Sequence, residues 1–341
     1  MNKTYEKRKE TFKMKPKSWL VTGAAGFIGS HLVENLLALG QTVTGLDNFA
    51  TGSQQNIDDA LLKTTTENAA RFHLISGDIR DLEACRKACE GKEMILHQAA
   101  LGSVPRSLKD PLSTYSVNAN GFFNMILAAR DAGVESFVYA SSSSVYGDEP
   151  NLPKKEDRIG NPLSPYALTK LQNEQIAQIF ARCYGFRSIG LRYFNVFGPR
   201  QDPNGPYAAV IPRWFEALSN GKQPLIYGDG ETGRDFCYVE NVVQANILAA
   251  TTSNESAWNR TYNVACGCQT TLNKLVTLIR DEVSKKHPEA EIIEPKYEDF
   301  RQGDIRHSLA DISQGRELLG YHPQFFIQDG LRKASDWYLK S

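Results

Sequence analysis

Short apolar runs alternate with longer amphipathic stretches through the first 193 residues. Runs of that length predict strands, whereas apolar residues at helical spacing predict helices. The predicted strands are 19–22, 42–46, 72–76, 94–97, 136–140 and 187–192. The predicted helices are 27–39, 57–69, 81–90, 112–132 and 165–184. This alternation is typical of an α/β fold, so we expect a doubly wound parallel sheet covered by helices on both faces.

The pattern changes on either side of this region. Residues 1–17 are rich in lysine and poor in apolar partners, which predicts a solvated, partly helical basic arm. After Tyr193 the chain becomes irregular and rich in Pro, Gly and aromatic residues, which predicts a smaller α/β lobe with many loops. The expected organisation is therefore an arm over 1–17, a nucleotide-binding domain over 18–193 whose sheet later residues can complete, and mainly a substrate lobe over 194–341.

Composition narrows the possible partners. The 341 residues contain 39 Lys and Arg against 39 Asp and Glu, so no overall basic field favours nucleic acid or an anionic membrane. No apolar stretch is long enough for a spanning helix, and the first residues are too polar for a secretory signal, so we expect a cytoplasmic protein. The six dispersed cysteines favour reduced structural thiols over a metal site.

Three glycines follow the first predicted strand. Gly23, Gly26 and Gly29 lie at three-residue spacing where the strand gives way to a helix. Glycines in this place allow a tight turn, a close approach of backbone to a pyrophosphate, and packing of the helix on the strand. The same glycines could serve helix capping or close packing alone, so the motif needs support from elsewhere in the chain.

The second strand provides that support, because it ends at Asp47. An acidic residue about 20 positions after the glycine turn is placed to accept hydrogen bonds from a ribose. Its charge would repel a 2′-phosphate and no arginine follows directly, which favours NAD over NADP. The alternative is that Asp47 only forms a turn with Asn48.

Polar and small residues also end the next strands. Asp78 follows the third strand and could bind an adenine amine, and Gln98-Ala99 follows the fourth. His97, at the end of that strand, fits a buried core position better than a catalytic role. Asn118 lies within a predicted helix facing the sheet, where a buried amide is expected to bridge loop backbone.

Tyr166 and Lys170 are the candidate catalytic pair, although an isolated tyrosine and lysine at this spacing are usually surface residues; here they follow a predicted dinucleotide-binding domain. They lie one turn apart on a helix that Ser164 is placed to cap. A nearby ammonium favours the phenolate, so we expect the pKa of Tyr166 to fall and the phenol to act as a base. The serine run 141–144, at the end of the fifth strand, can supply a hydroxyl that shares a substrate proton.

With these residues the chain resembles the extended short-chain dehydrogenases/reductases, and among them the nucleotide-sugar 4-epimerases. The resemblance covers about residues 18–335. It rests on the glycine turn 22–29, Asp47-Asn48, Gly77-Asp78, the serine run with Val145-Tyr146-Gly147, Tyr166 with Lys170, and Arg192-Tyr193-Phe194-Asn195-Val196-Phe197-Gly198-Pro199.

The resemblance implies a Rossmann fold, tightly bound NAD and a UDP-sugar substrate. Tyr166 would be the base, Lys170 would bind the nicotinamide ribose, and Ser142 would be the catalytic hydroxyl, with Ser143 left open as its neighbour. The implied NAD contacts are Gly23, Gly26, Phe27, Ile28, Gly29, Asp47, Asn48, Asp78, Ile79, Gln98, Ala99, Asn118, Tyr166 and Lys170. The implied substrate contacts are Ser103, Ser142, Ser143, Tyr166, Asn195, Val210, Leu225, Ile226, Tyr227, Arg234, Arg301, Asp304 and Ser308.

The residues after Ser142 favour one reaction within this family. Dehydratases carry an Asp-Glu pair there, and decarboxylases bring in a glutamate, because those reactions need carboxylate acid/base groups. Ser143 and Ser144 supply none, which leaves oxidation and re-reduction at one carbon, as in a 4-epimerase. The alternatives are another dehydratase or reductase of the family, or a catalytically silent protein that binds NAD.

Ser308 bears on the choice of sugar. Epimerases restricted to plain hexoses carry a tyrosine at the matching position, whereas a serine leaves room beside the sugar C2 substituent. We therefore expect UDP-N-acetylglucosamine and UDP-N-acetylgalactosamine, with their uronic acids as further candidates. The family also implies a homodimer formed through the helices over 112–132 and 165–184.

Overall fold

The computed structural model of the chain describes residues 3–202, 209–300 and 306–340. The strands in chain order are β1 (Ser18–Thr22), β2 (Thr42–Asp47), β3 (Phe72–Ser76), β4 (Met94–His97), β5 (Ser136–Ser142), β6 (Ser188–Tyr193), β7 (Val196–Phe197), β8 (Leu225–Tyr227), β9 (Gly233–Arg234), β10 (Cys237–Tyr238), β11 (Arg260–Val264), β12 (Thr270–Thr271) and β13 (Lys296–Glu298).

The α-helices in chain order are α1 (Lys3–Met14), α2 (Phe27–Ala38), α3 (Gln54–Leu62), α4 (Thr66–Ala69), α5 (Leu82–Cys89), α6 (Val104–Lys109), α7 (Pro111–Tyr115), α8 (Gly121–Asp131), α9 (Pro165–Tyr184), α10 (Val210–Ser219), α11 (Val239–Ala250), α12 (Leu272–Ser284), α13 (Ser313–Leu319) and α14 (Ile327–Tyr338). A π-helical turn, Ser116–Asn120, joins α7 to α8, and short 3₁₀ turns cover Ser143–Tyr146, Glu255–Ala257 and Pro288–Ile292.

Seven strands form one parallel sheet in the order β3-β2-β1-β4-β5-β6-β11. The strand order reverses between β1 and β4, and ligands of such sheets bind beyond the carboxyl ends of the strands at this point. The predicted doubly wound fold is confirmed. The six predicted strands are all present, and β11 adds the seventh at one edge.

Two predicted helices are interrupted. The helix predicted over 57–69 is two helices, because the Thr65 hydroxyl accepts a hydrogen bond from Asn68 N (3.3 Å) and begins α4 anew. The helix predicted over 112–132 is divided into α7 and α8 by the π-helical turn. Asn118 lies in that turn and bonds to loop backbone, so the extra residue per turn coincides with a polar contact.

The basic arm is helical and mostly exposed, as expected, but it also has apolar contacts with the domain that were not expected. It forms α1, in which Tyr5 is buried, and Phe12 packs against Trp19 of β1 with ring centroids 5.9 Å apart. Phe12 O also accepts a hydrogen bond from Gln41 Nε2 (3.0 Å). Tyr5, which is buried, and Phe12, which is half-buried, provide a hydrophobic stabilisation that the lysine-rich sequence did not indicate.

Helices cover both faces of the sheet. Buried side chains of α2 and α11 pack on one face, and those of α5, α8 and α9 pack on the other. A third core lies between α10, α12 and α14 and supports the shorter strands. Within the described ranges, no helix combines the length and the apolar character needed to cross a membrane. All six cysteines are free thiols, and four of them are buried.

Candidate active site

The glycine turn between β1 and α2 is closed by backbone contacts. Gly23 has φ +68 and donates its N–H to Leu46 O (2.8 Å). A Cβ at Gly23 would lie 2.8 Å from Ala99 N, and one at Gly29 would lie 2.0 Å from Gly23 O. No side chain caps α2, whose N-cap is Gly26. The first N–H groups of this helix can therefore bind the phosphates of a dinucleotide, so the residues present fit such a cofactor.

A cleft of about 300 Å³ opens beside this turn, along the carboxyl ends of the strands. Its walls contain most of the residues predicted to contact NAD: Gly23, Gly26, Phe27, Ile28, Gly29, Asp47, Asn48, Asp78, Ile79, Gln98, Ala99, Tyr166 and Lys170. Residues far apart in the sequence therefore meet at one place, as the predicted topology requires.

Asp47 orders the loops of the cleft. Its two carboxylate oxygens accept hydrogen bonds from Ala25 N (2.8 Å) and Phe49 N (2.7 Å). Farther along the cleft, Asp78 binds Arg80 through both of its oxygens, which lowers the pKa of Asp78 to about 2. Both carboxylates are thus held by donors at the end of the cleft where a ribose and an adenine are expected.

Gln98 belongs to a polar cluster that the sequence did not indicate. Tyr193 Oη donates to Gln98 Oε1 (2.9 Å), and Gln98 Nε2 donates to Asn246 Oδ1 of α11 (3.1 Å). Asn246 also donates to Tyr193 Oη (2.9 Å). Tyr193 lines the cleft with Gln98, so a helix from the second half of the chain orders the cleft floor.

Asn118 and Ser103 are among the predicted contacts that lie outside the cleft walls. Asn118 Oδ1 accepts from Leu101 N (2.8 Å) and its Nδ2 donates to Leu101 O (3.1 Å), so the amide bridges loop backbone as interpreted. Ser103 has φ +110, and its hydroxyl accepts from Arg106 N (3.2 Å) at the start of α6. The Ser103 hydroxyl thus caps α6, and its expected contact with the substrate stays a prediction.

Ser142, Tyr166 and Lys170 meet where β5 ends and α9 begins. The Ser164 hydroxyl caps α9 by accepting from Ala167 N (3.1 Å). Ser142 forms a side-chain hydrogen bond with Tyr166, and Lys170 Nζ donates to Ala140 O (2.8 Å). Tyr166 and Lys170 therefore line the cleft from α9, and Ser142 lies next to Tyr166 at the end of β5.

Electrostatics at this centre differ from the sequence-based expectation. Burial raises the pKa of Tyr166, and the Ser142 hydrogen bond opposes that rise. Lys170 does not lower the pKa of Tyr166 as predicted, because Nζ lies 6.0 Å from the ring centroid and is bonded to Ala140 O. Burial lowers the pKa of Lys170 to about 8, against the opposing charge of Glu174.

The serine run separates into different contacts. Ser142 Oγ accepts from Ser144 Oγ (2.9 Å) and from Ser144 N (3.1 Å), whereas Ser143 begins the 3₁₀ turn. Ser141 lies in the cleft wall, and its hydroxyl donates to Glu174 Oε1 (2.6 Å). Ser142 is thus the serine that hydrogen-bonds Tyr166.

A buried ion pair lies directly behind this centre. Arg192 of β6 binds Glu174 of α9 through Nε–Oε1 (2.9 Å) and Nη2–Oε2 (2.8 Å), and the two side chains are 2% and 4% exposed. Sequence reasoning missed this pair, since the partners lie on separate elements and neither is unusual alone. Arg192 is the first residue of the motif 192–199 on which the family resemblance rests. Its place in that motif was the one indication in the sequence that it has a specific role.

A second cavity of about 290 Å³ lies in the other lobe. It contains five of the predicted substrate contacts: Asn195, Val210, Leu225, Tyr227 and Arg234. It also contains residues that were not predicted: Arg213, Trp214, Ala217, Gln223, Thr232, Phe236 and Leu272. Several of these belong to α10, an element that the irregular sequence concealed.

The remaining predicted contacts have different outcomes. Ile226 is 1% exposed in the third core, because alternate residues of β8 face opposite sides, and this corrects its expected place beside the base. Ser308 is half-buried, and its N–H donates to Gly233 O (3.0 Å), which ties it to the strand that carries Arg234. Arg301 and Asp304 lie outside the described residues.

Residues 19–265 match the family described as the NAD dependent epimerase/dehydratase family. A UDP-glucose 4-epimerase of Mycolicibacterium smegmatis is 38% identical over 94% of this chain and 97% of its own. A solved UDP-N-acetylglucosamine 4-epimerase of Methanobrevibacter ruminantium, in complex with UDP-N-acetylmuramic acid, is 39% identical, with a TM-score of 0.87 over 96% of this chain and 99% of its own. A UDP-glucose 4-epimerase of Thermus thermophilus in complex with NAD is 31% identical, with a TM-score of 0.78 over 94% and 98%.

Proposed function

Because the chain belongs to the NAD-dependent epimerase/dehydratase family, we propose that it interconverts UDP-N-acetylglucosamine and UDP-N-acetylgalactosamine by inverting carbon 4. The observation that carries the reaction is the convergence of Ser142, Tyr166 and Lys170 beside a dinucleotide cleft. The similar proteins named above are UDP-sugar 4-epimerases, and the enzyme is accordingly an isomerase that uses NAD.

Tyr166, Ser142 and Lys170 have separate roles in the proposed reaction. NAD, when bound, supplies the acceptor and the donor of the hydride at carbon 4. Tyr166 removes the proton of the sugar 4-hydroxyl and later returns one, and Ser142 shares that proton through its hydrogen bond to Tyr166. Lys170 lines the same cleft and would donate its ammonium hydrogens to the nicotinamide ribose.

The second cavity would hold the nucleotide while the keto sugar rotates to present its opposite face. Arg234 offers a planar cation for a diphosphate, and Asn195 lies beside it with Nδ2 donating to Asp235 O (3.2 Å). Leu225 and Tyr227 offer apolar surface to a base. Anchoring the nucleotide here lets the keto sugar present its opposite face without leaving the enzyme, which inversion requires.

Ser308 supports the choice of N-acetylated sugars. Its N–H is bonded to Gly233 O of β9, the strand that carries Arg234, and its small side chain is the feature expected to leave room for an N-acetyl group. We expect Ser308→Tyr to abolish turnover of UDP-N-acetylglucosamine while UDP-glucose is still accepted. Ser308→Ala is the matched control that keeps the space open, and unchanged turnover by Ser308→Tyr would disprove the assignment.

The deciding experiment supplies the NAD-loaded enzyme with a panel of UDP-sugars that includes the uronic acids, and identifies products by NMR. The expected product of UDP-N-acetylglucosamine is its 4-epimer, with no net NADH absorbance. A 4-keto-6-deoxy product would instead establish a dehydratase, and net NADH would establish a dehydrogenase or reductase. Absence of any product with tight NAD binding would favour a silent binding protein.

We also propose a homodimer formed through α6–α9. This face exposes large apolar side chains: Leu108, Leu112, Tyr115, Phe123, Leu168, Ile179 and Tyr184. Contiguous exposed apolar surface of this kind marks a protein interface. Leu112→Glu should yield monomers in analytical ultracentrifugation, whereas Leu62→Glu on α3, a similarly exposed leucine, should not.

A further inference from the structure

Glu174 and Lys170 lie one turn apart on α9 and bind consecutive residues of β5. Lys170 Nζ donates to Ala140 O (2.8 Å), and Glu174 Oε1 accepts from Ser141 Oγ (2.6 Å). Residues at this spacing lie on one face of a helix. The carboxylate and the ammonium therefore lie on one face of α9, against consecutive residues of the strand that ends in Ser142.

Burial at this place carries a free-energy cost for the charges of both Lys170 and Glu174. Lys170 is 4% exposed, and burial of an ammonium without compensation favours its neutral form. Glu174 is likewise buried, and its charge is retained because Arg192 and Ser141 satisfy its oxygens. A carboxylate held in this way is a fixed negative charge behind the catalytic centre.

The other titratable groups around Lys170 do not replace that charge. His97 of β4 is buried, and burial and the charge of Lys170 lower its pKa to about 3, so it is neutral at physiological pH. The remaining groups are phenols or the partner cation of the pair: Tyr139 of β5, Tyr166 of α9, and Arg192 and Tyr193 of β6. Among these groups Glu174 is the carboxylate, and it is paired with Arg192.

We propose that Glu174 is a positioning residue for the reaction, whose carboxylate keeps Lys170 in the ammonium form and seated on β5. Glu174 does not touch the substrate and acts through Lys170. The effect of Glu174 on turnover rests on the proposed function. Its effect on the protonation of Lys170 does not, because that protonation can be measured without substrate. Loss of the carboxylate leaves a buried lysine that releases its proton at lower pH.

The test compares Glu174→Gln, which keeps the shape and removes the charge, with Glu174→Asp, which keeps the charge and shortens the side chain. The pKa of Lys170 is read in the NAD-loaded protein by ¹⁵Nζ NMR, with the signal assigned through Lys170→Arg. We expect Glu174→Gln to lower this pKa by about one unit and Glu174→Asp to leave it near the native value. If both variants shift it equally, or neither does, the proposal is overturned.

Glu174→Gln leaves Arg192 buried without its partner and is expected to be less stable. The double variant Glu174→Gln/Arg192→Gln removes both charges and provides a folded alternative, in which the pKa of Lys170 must still fall. Arg200→Met removes a different buried arginine, which pairs with Glu34 of α2, and controls for destabilisation alone. It should leave the titration of Lys170 unchanged.

Turnover gives a second measurement. The alkaline limb of the kcat profile should move to lower pH in Glu174→Gln by the same amount as the NMR titration, with little change in KM. A wild-type enzyme that turns over no UDP-sugar would contradict the proposed function, yet the NMR comparison would still decide the role of Glu174. A kcat profile that does not follow the Lys170 titration would overturn the role of Glu174 in turnover.

Discussion

The two cavities are built in different ways. The phosphate end of the dinucleotide cleft is formed by backbone after β1, with Gly23 N bonded to Leu46 O and Gly26 N bonded to Gly23 O, while side chains such as Asp47 and Gln98 order its other walls. The second cavity is bounded by strands of two or three residues and is held by side chains, as where Trp214 Nε1 donates to Leu225 O (3.2 Å). Backbone fixes a cofactor whose position must not vary, whereas side chains adapt the second cavity to a particular substrate.

We expect the largest effect of any substitution at the reacting centre. Tyr166→Phe removes the proposed base and leaves the walls of both cavities in place, so kcat should fall by about 10²–10⁴-fold while NAD remains bound. Activity is measured with UDP-N-acetylglucosamine and bound NAD by absorbance after denaturation. Retention of activity would assign the proton transfer to another group.

Glycine substitutions test whether backbone contacts matter more in the dinucleotide cleft than in the lobe that contains the second cavity. In Gly23→Ala the new Cβ meets backbone at 2.8 Å, while in Gly230→Ala it meets the Asn273 side chain, which can move. Both positions have positive φ, so both variants bear backbone strain. We expect Gly23→Ala to lose about 2–4 kcal/mol in denaturant unfolding and to release NAD, with a smaller loss for Gly230→Ala. Equal losses would refute the contrast.

Arg234→Met separates substrate binding from cofactor binding. Its guanidinium lines the second cavity, and its Nη1 donates to Gly233 O (3.1 Å) and Arg306 O (3.1 Å). We expect KM for the UDP-sugar to rise by about 10-fold or more, because a charge-assisted bond to phosphate is lost. NAD content should not change. A variant that instead loses NAD would show that the cavities depend on each other.

The smallest effect is a pH dependence confined to the cleft. Burial lowers the pKa of Lys170 to about 8, so the ammonium is present below that pH and is lost above it. We expect kcat to decline above pH 8 by up to about 10-fold per unit, while substrate binding at Arg234 does not change over the same range. Parallel kcat and KM profiles measure this difference.

The residues of the first cavity could be predicted from the sequence far better than those of the second. Strand-end residues such as Asp47 and the pair Tyr166 and Lys170 are local signals, and topology brings them together. Helix α11 was missed because nearly all of its residues are buried, including Asn241 and Asn246, so it lacks an amphipathic period. Buried partners such as Glu174 with Arg192 depend on contacts between separate elements, which no local pattern encodes.

The position of β11 at the sheet edge has a consequence for synthesis of the protein. Strand β6 ends at Tyr193, but its outer neighbour begins at Arg260, so a ribosome must extend the chain well beyond the first six strands before that edge is covered. During this interval the nascent chain exposes unpaired backbone donors and acceptors, which can pair with other chains. Fragments that stop before β11 should therefore aggregate, even though they contain the glycine turn and the catalytic pair.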